Sequence, residues 1–202
     1  AKRQNMSVFR WMDEKAGGLK PGSSGVIALD WWNGCRSVLM DSGLGGCLLG
    51  MTLQTRPEEI YRALMEGIAF GKRMIIEQME TAGVRCRHLY ATGGVAEKNP
   101  LIMQIMADVL GREIRIPAIA NGSCMGSAMY GAVAAGKKGG GYDAIEEAVE
   151  AMGPSVGKRY TPNQSASAAY DPLFEMYREM YFYLGKESRI LKQLAVLRGQ
   201  EE

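Results

Sequence analysis

The stretch TGGVAEKNP, residues 92–100, is the part of the sequence on which the interpretation of the fold depends. It follows the short apolar run HLYAT, so Gly93 and Gly94 lie at the carboxyl end of a predicted strand. Open α/β sheets bind their ligands at that end, and two residues without Cβ allow a flat base or a phosphate to approach the main chain. Asn99 is the predicted N-cap of the following helix. The residues alone support a simple strand-to-helix turn and a ligand-binding loop about equally.

On both sides of this stretch, short apolar runs alternate with amphipathic helices. The predicted strands are VIALDWW (26–32), HLYAT (88–92) and EIRIP (113–117). Thr55 and Glu58 predict a capping box at the start of a long helix that ends at Gly83. Later helices are predicted to begin at Asn99, Ser123, Asp143 and Asp171. This alternation predicts an α/β domain in which helices pack on a sheet.

The composition is typical of an ordinary globular domain and argues against several classes of protein. The 202 residues are 47% hydrophobic and 23% charged, which is enough to bury a core. The 24 Lys and Arg residues nearly balance the 22 Asp and Glu residues, so the net charge of the chain does not favour binding to nucleic acid or to a membrane surface. No apolar run is long enough to span a bilayer. Four scattered cysteines and the single His88 lack the spacing of a zinc site, so we predict no metal site, free buried thiols and a cytoplasmic location.

Two glycine-containing segments come close to known nucleotide-binding motifs without matching them. GAVAAGKK, residues 131–138, has Lys138 where a P-loop needs a serine or threonine for Mg²⁺. GLGGCLLG, residues 43–50, has Leu48 where a dinucleotide-binding loop needs its third glycine. No nucleophile or acid lies at a sequence spacing from His88 that is typical of a catalytic site, so we assign no catalytic residue. The residues predicted to lie on a solvated helix face are Glu66, Lys72 and Arg73.

Three longer segments are distinctive when they are taken together. They are TRPEEIYRALMEGIAFGKRMIIEQM (55–79), LYATGGVAEKNPLIMQIMADVLGREIRIP (89–117) and CMGSAMYGAVAAG (124–136). Together they resemble the carboxyl-terminal lobe of the FGGY carbohydrate kinases, and GVIALDWWNGCRSVLMD (25–41) is most similar to members that act on L-ribulose. The resemblance implies an α/β, actin-like ATPase lobe with a ribonuclease H-like core, in which helices flank a sheet that is incomplete at its amino-terminal end.

The resemblance also implies a nucleotide site on this chain. Gly93 and Gly94 would flank the adenine and ribose of ATP. Asn99 would hold the base or the sugar, and Lys98 would border the same site. Gly34, in the segment NGCRS, matches a glycine near the nucleotide phosphates. These five residues are the predicted ATP-binding residues, and they favour the ligand-binding interpretation of the glycine pair.

What the family resemblance implies for activity depends partly on sequence that is absent here. The catalytic Asp and most sugar contacts belong to an amino-terminal lobe outside this sequence, so residues 1–202 are expected to be a partial carboxyl-terminal nucleotide-binding lobe without phosphoryl transfer of its own. The complete enzyme would use ATP and Mg²⁺ to phosphorylate L-ribulose or a related pentulose. The alternatives are a kinase for xylulose or ribitol and a non-catalytic, actin-like nucleotide-binding module. The apolar stripe on the last helix leaves open whether it is core or an interface between identical subunits.

Overall fold

The computed structural model describes residues 6–119 and 121–199. The helices of this part are α1 (Val8–Gly17), α2 (Pro57–Thr81), α3 (Gly94–Lys98), α4 (Pro100–Leu110), α5 (Gly122–Ala135), α6 (Ile145–Met152), α7 (Gln164–Phe182) and α8 (Ile190–Leu197). The strands are β1 (Ile27–Leu29), β2 (Cys47–Leu49), β3 (Leu89–Tyr90), β4 (Ile114–Pro117) and β5 (Val156–Tyr160). The predicted alternation of strands and helices, and with it the α/β class, is confirmed.

The strands form two small sheets. β1 and β2 pair in antiparallel orientation, with Ala28 opposite Leu48. The second sheet has the order β3-β4-β5, in which β3 and β4 are parallel and β4 and β5 are antiparallel. Helices α3 and α4 connect β3 to β4. Because parallel strands point the same way, the segments that follow β3 and β4 emerge at one edge of the sheet, and the candidate site lies at this edge.

The long helix α2 organises the core. Its buried apolar face packs against β1, α4 and α7. Gly67 is needed on this face because a Cβ there would lie 2.4 Å from the carbonyl oxygen of Ala28 in β1. From α7, Tyr170, Phe174 and Tyr177 are completely buried around Phe70 of α2. These aromatic rings contribute much of the buried apolar area that holds the helices together.

The capping box of α2 lies one residue later than predicted. The helix begins at Pro57, and its N-cap is Arg56 rather than Thr55. Glu59 accepts a hydrogen bond from the Arg56 backbone N–H at 2.8 Å, whereas the Thr55 hydroxyl accepts one from the backbone of Thr52. Proline is well suited to the first helical position because its φ is already helical and it needs no N–H partner there, and this favours the later start.

The last long helix begins before the predicted Asp171. Helix α7 starts at Gln164, and Pro172 lies inside it. Asn163 caps this earlier start, since its side-chain oxygen accepts from the backbone N–H groups of Ser165 and Ala166. A proline in a helix interior costs about 3 kcal/mol. Tyr170, in the turn before the proline, is completely buried.

The prediction that Glu66 is solvated is wrong. Glu66 is 3% exposed, and its neighbour Arg62 is 6% exposed. The two side chains form a buried ion pair at 2.8 Å, between Arg62 Nε and Glu66 Oε1. Lys72 is exposed, as predicted. Arg73 is partly buried and pairs with Glu77 and Asp171.

Candidate functional site

The glycine pair lies in open space at the edge of the sheet where β3 ends. A Cβ built on Gly93 or on Gly94 would have no atom within 4 Å. Gly93 has a φ of 97°, a conformation that side chains with a Cβ rarely adopt. Its place at the start of α3 therefore requires glycine. Gly94 has no such backbone requirement, and the main chain there is uncovered.

The amino terminus of α5 lies beside this turn. A Cβ on Gly122 would be 2.7 Å from the side chain of Thr92, so the helix start and the end of β3 are in close contact. Asn121 is the N-cap of α5, but its side chain makes no capping hydrogen bond. The first N–H groups of a helix have no partner within the helix, and they favour a negative charge. An anion near Gly93 would therefore meet a favourable field from α5.

Asn99 acts as a helix cap, as predicted. Its side-chain oxygen accepts from the backbone N–H of Ile102 at 3.1 Å, and its amide nitrogen donates to Asp13 at 3.0 Å. Asp13 also accepts from the Tyr61 hydroxyl, and partial burial together with this carboxylate raises the pKa of Tyr61 to about 12. Most of the hydrogen-bonding capacity of this side chain therefore stabilises the fold.

Lys98 ends α3 with an exposed side chain. Across residues 6–119 and 121–199, no carboxylate lies within ion-pair distance of it. The structure thus places Gly93, Gly94, Lys98 and Asn99 together in one continuous segment between β3 and α4.

Gly34 lies in a different part of the molecule. It follows β1, has a φ of 79°, and a Cβ there would lie 2.8 Å from the Cα of Ser42. The residue lines a small cavity of about 100 Å³ together with Asp30, Lys72 and Tyr181, and no residue of the β3–α4 segment borders that cavity. Close packing of the turn accounts for this glycine, and its predicted role near the phosphates stays a prediction.

A larger cavity lies between α3 and the paired strands β4 and β5, and the sequence does not indicate it. It measures about 330 Å³ and is lined by Glu97, residues 116–119, Gly157 and Lys158. Glu97 belongs to α3, and the last two residues belong to β5, a strand that was not predicted. The signal for β5 is weak, because only Val156 and Tyr160 suggest a strand in the polar run VGKRY.

The structure describes neither a metal cluster nor a membrane span. In residues 6–119 and 121–199, no three His, Cys, Asp or Glu side chains gather as metal ligands. Within the same ranges, no helix is both long and apolar enough to cross a membrane. The four cysteines are free, as predicted, but only Cys35 is buried and Cys124 is exposed.

Comparison with known proteins gives a match to one family profile and many relatives, of which those described here align with nearly the whole of this chain. The profile described as the FGGY family of carbohydrate kinases, C-terminal domain, matches residues 2–135. A protein named ribulokinase from Bacillus licheniformis is 50% identical over 199 residues, which are 98% of this chain and 36% of that protein. Another from Halalkalibacterium halodurans is 46% identical over 200 residues, again 98% and 36% of the two chains. The chain thus spans little more than a third of the length of these relatives.

Solved structures share the fold. A gluconate kinase from Lactobacillus acidophilus superposes with a TM-score of 0.75 at 22% identity, over 88% of this chain and 35% of the other. A xylulose kinase from Rhodospirillum rubrum superposes with a TM-score of 0.71 at 24% identity, over 91% of this chain and 35% of the other. At this level of identity the likeness concerns the architecture alone.

Proposed function

This chain belongs to the FGGY family of carbohydrate kinases, and from that membership we propose that it is the nucleotide-binding, carboxyl-terminal part of a pentulose kinase. The reaction would transfer the γ-phosphoryl group of ATP to the 5-hydroxyl of L-ribulose. The choice of sugar is supported by relatives named ribulokinase that are 39–50% identical over nearly the whole chain. The nucleotide role is carried by one observation, the uncovered main chain at Gly93 and Gly94.

In the proposed complex, the adenosine of ATP lies against the glycine pair. Lys98 has an exposed ammonium group at the border of this site, and the amino terminus of α5 favours the negative charge of the phosphates. Asn99 offers its remaining amide hydrogen to the base or the ribose. Gly34 lies after β1, outside the β3–α4 segment, and its place near the phosphates remains a prediction.

Phosphoryl transfer depends mainly on positioning the two substrates and on neutralising phosphate charge. Mg²⁺ in kinases is usually held by the nucleotide phosphates with one or two carboxylates. Since the described residues contain no cluster of metal ligands, we assign no Mg²⁺ ligand and no catalytic base to this chain. Its residues bind and orient the nucleotide, and closure against a second lobe would exclude water from the site.

An assay of the full-length gene product tests the proposal. Release of ADP is measured with L-ribulose, D-xylulose and ribitol as acceptors, and we expect the highest kcat/KM with L-ribulose. Higher efficiency with one of the other acceptors would assign a different sugar or polyol kinase. ATP binding without turnover on any acceptor would instead support a non-catalytic nucleotide-binding module. The 202-residue chain alone serves as the comparison and is expected to transfer no phosphate.

A further inference from the structure

Asp13 of α1 connects two other elements through a single oxygen atom. Its Oδ1 accepts a hydrogen bond from the Tyr61 hydroxyl of α2 at 2.9 Å and another from the side-chain amide of Asn99 at 3.0 Å. All three side chains are partly buried, so these hydrogen bonds are stronger than they would be in water. Asp13 thus joins α1 and α2 to the residue that lies between α3 and α4.

Asp13 and Ile102 together fix the orientation of the Asn99 amide. The Asn99 oxygen accepts from the backbone N–H of Ile102 at 3.1 Å, and its nitrogen donates to the Asp13 carboxylate. An amide turned by half a rotation would place its nitrogen against an N–H group and its oxygen against a carboxylate. Neither of those pairs can form a hydrogen bond. Only one orientation of the amide therefore satisfies both neighbours.

The hydrogen bond to Asp13 anchors the β3–α4 segment, residues 93–99. Within residues 6–119 and 121–199, it is the one side-chain hydrogen bond that joins this segment to an element other than α4. Packing contributes little, because Ala96 is the only buried residue of α3. Segments with few buried contacts open locally at a low cost in free energy. Loss of the bond to Asp13 should therefore loosen this segment more than the rest of the protein.

We infer that Asp13 is a positioning residue for the nucleotide site, because it holds Asn99 and with it the β3–α4 segment. This inference rests on the proposed function, since that segment contains four of the five predicted ATP-binding residues. In this role Asp13 acts through Asn99 and needs no contact with the nucleotide. Binding groups are effective only when their supporting residues hold them in place. Removal of the Asp13 acceptor should therefore weaken the binding of ATP.

Calorimetry of ATP binding to the full-length protein and three variants tests this role. In Asp13→Ala, ATP should bind at least about fivefold more weakly, the scale of one lost hydrogen bond. Both donors use Oδ1, and the amide oxygen of Asp13→Asn can replace it, so this variant should bind ATP within about twofold of the wild type. Tyr61→Phe removes the other donor to the same oxygen and is the control, which should leave the ATP affinity unchanged.

Hydrogen exchange of the same proteins without nucleotide measures the positioning directly. In Asp13→Ala the backbone N–H groups of residues 94–103 should exchange faster than in the wild type, whereas those at the buried centre of α2 should keep their protection. Tyr61→Phe should not change exchange in residues 94–103. If Asp13→Ala fails to fold, Asp13→Ser takes its place, because the serine oxygen lies closer to the main chain and no longer reaches Asn99.

The outcomes separate this inference from the proposed function. If the wild type binds ATP and Asp13→Ala binds it equally tightly, the inference is overturned and the kinase function stands. An equal loss of affinity in Asp13→Asn or in Tyr61→Phe would also overturn it, because the hydrogen bond to Asn99 would then not be the cause. An equally large rise in the KM for L-ribulose in Asp13→Ala would do the same, since it indicates a general structural effect. If the wild type binds no ATP, the proposed function fails and the inference fails with it.

Discussion

Replacement of Glu66 by alanine tests the buried charge network that joins α1, α2 and α7. Glu66 Oε1 accepts hydrogen bonds from Arg62 Nε at 2.8 Å, from the Tyr170 hydroxyl at 3.0 Å and from the Gly22 backbone N–H at 3.3 Å. Arg62 also donates to the Ala16 carbonyl oxygen and to the Tyr170 hydroxyl, both at 2.9 Å. Removing the carboxylate therefore deprives three donors of their acceptor.

The expected loss of stability follows from the burial of the remaining charge. The Arg62 side chain is 7% exposed, so in Glu66→Ala its guanidinium stays out of water without a counter-charge. Breaking a buried ion pair in this way costs about 3–5 kcal/mol. Since a domain of this size is stable by only about 5–15 kcal/mol, the variant should unfold at a much lower denaturant concentration.

The chain contains a matched control for this experiment. Arg10 and Glu14 form an ion pair with the same four-residue spacing, but their side chains are 73% and 53% exposed. Glu14→Ala should cost no more than about 0.5 kcal/mol. Urea unfolding of the 202-residue chain, followed by the fluorescence of its three tryptophans, of which Trp31 is buried, measures both variants. A loss in Glu66→Ala no larger than that in Glu14→Ala would refute the reasoning about burial.

Two further predictions concern the glycine pair and the small cavity next to β1. Gly94→Val should weaken ATP binding by the full-length protein at least about tenfold with little change in stability, because a Cβ at Gly94 meets only open space. Gly131→Val, also at an open position, is the control. If calorimetry shows that Gly94→Val binds ATP as tightly as the wild type, the glycine pair is only a turn. Burial raises the pKa of Asp30, although Lys72 and the Tyr177 hydroxyl oppose the shift. Because the folded state then holds this proton more tightly than the unfolded state, the Asp30 contribution to stability is present below about pH 4 and is lost as the pH rises through the folded pKa. Asp30→Asn should remove this loss, so its stability relative to the wild type should increase from pH 4 to pH 7 in urea unfolding; a constant difference would contradict the assignment.

Much of the fold near the glycine pair follows from local sequence signals. The cap at Asn99, the left-handed Gly83 after α2 and the open main chain at Gly94 were all predicted and are observed. Resemblance in three segments predicted the family, and the comparisons confirm it. These features depend on a few neighbouring residues, or on matched residues in relatives, and are therefore visible in one sequence.

The tertiary structure alone decided which polar residues are buried and which distant segments meet. Glu66 looked like a solvated helix residue until Tyr170, more than a hundred positions away, was seen to pack beside it. Lys158 lines a cavity together with Glu97 because β5 pairs with β4, whereas Gly34 lines another cavity after β1. Caps, turns and helical periodicity arise from interactions within a few residues, whereas burial and cavity walls depend on how elements far apart in the chain pack. The sequence by itself thus determined the family, the α/β class and the uncovered glycine turn, and three-dimensional packing decided that Glu66 is buried and that Glu97 lines a cavity with residues of β4 and β5.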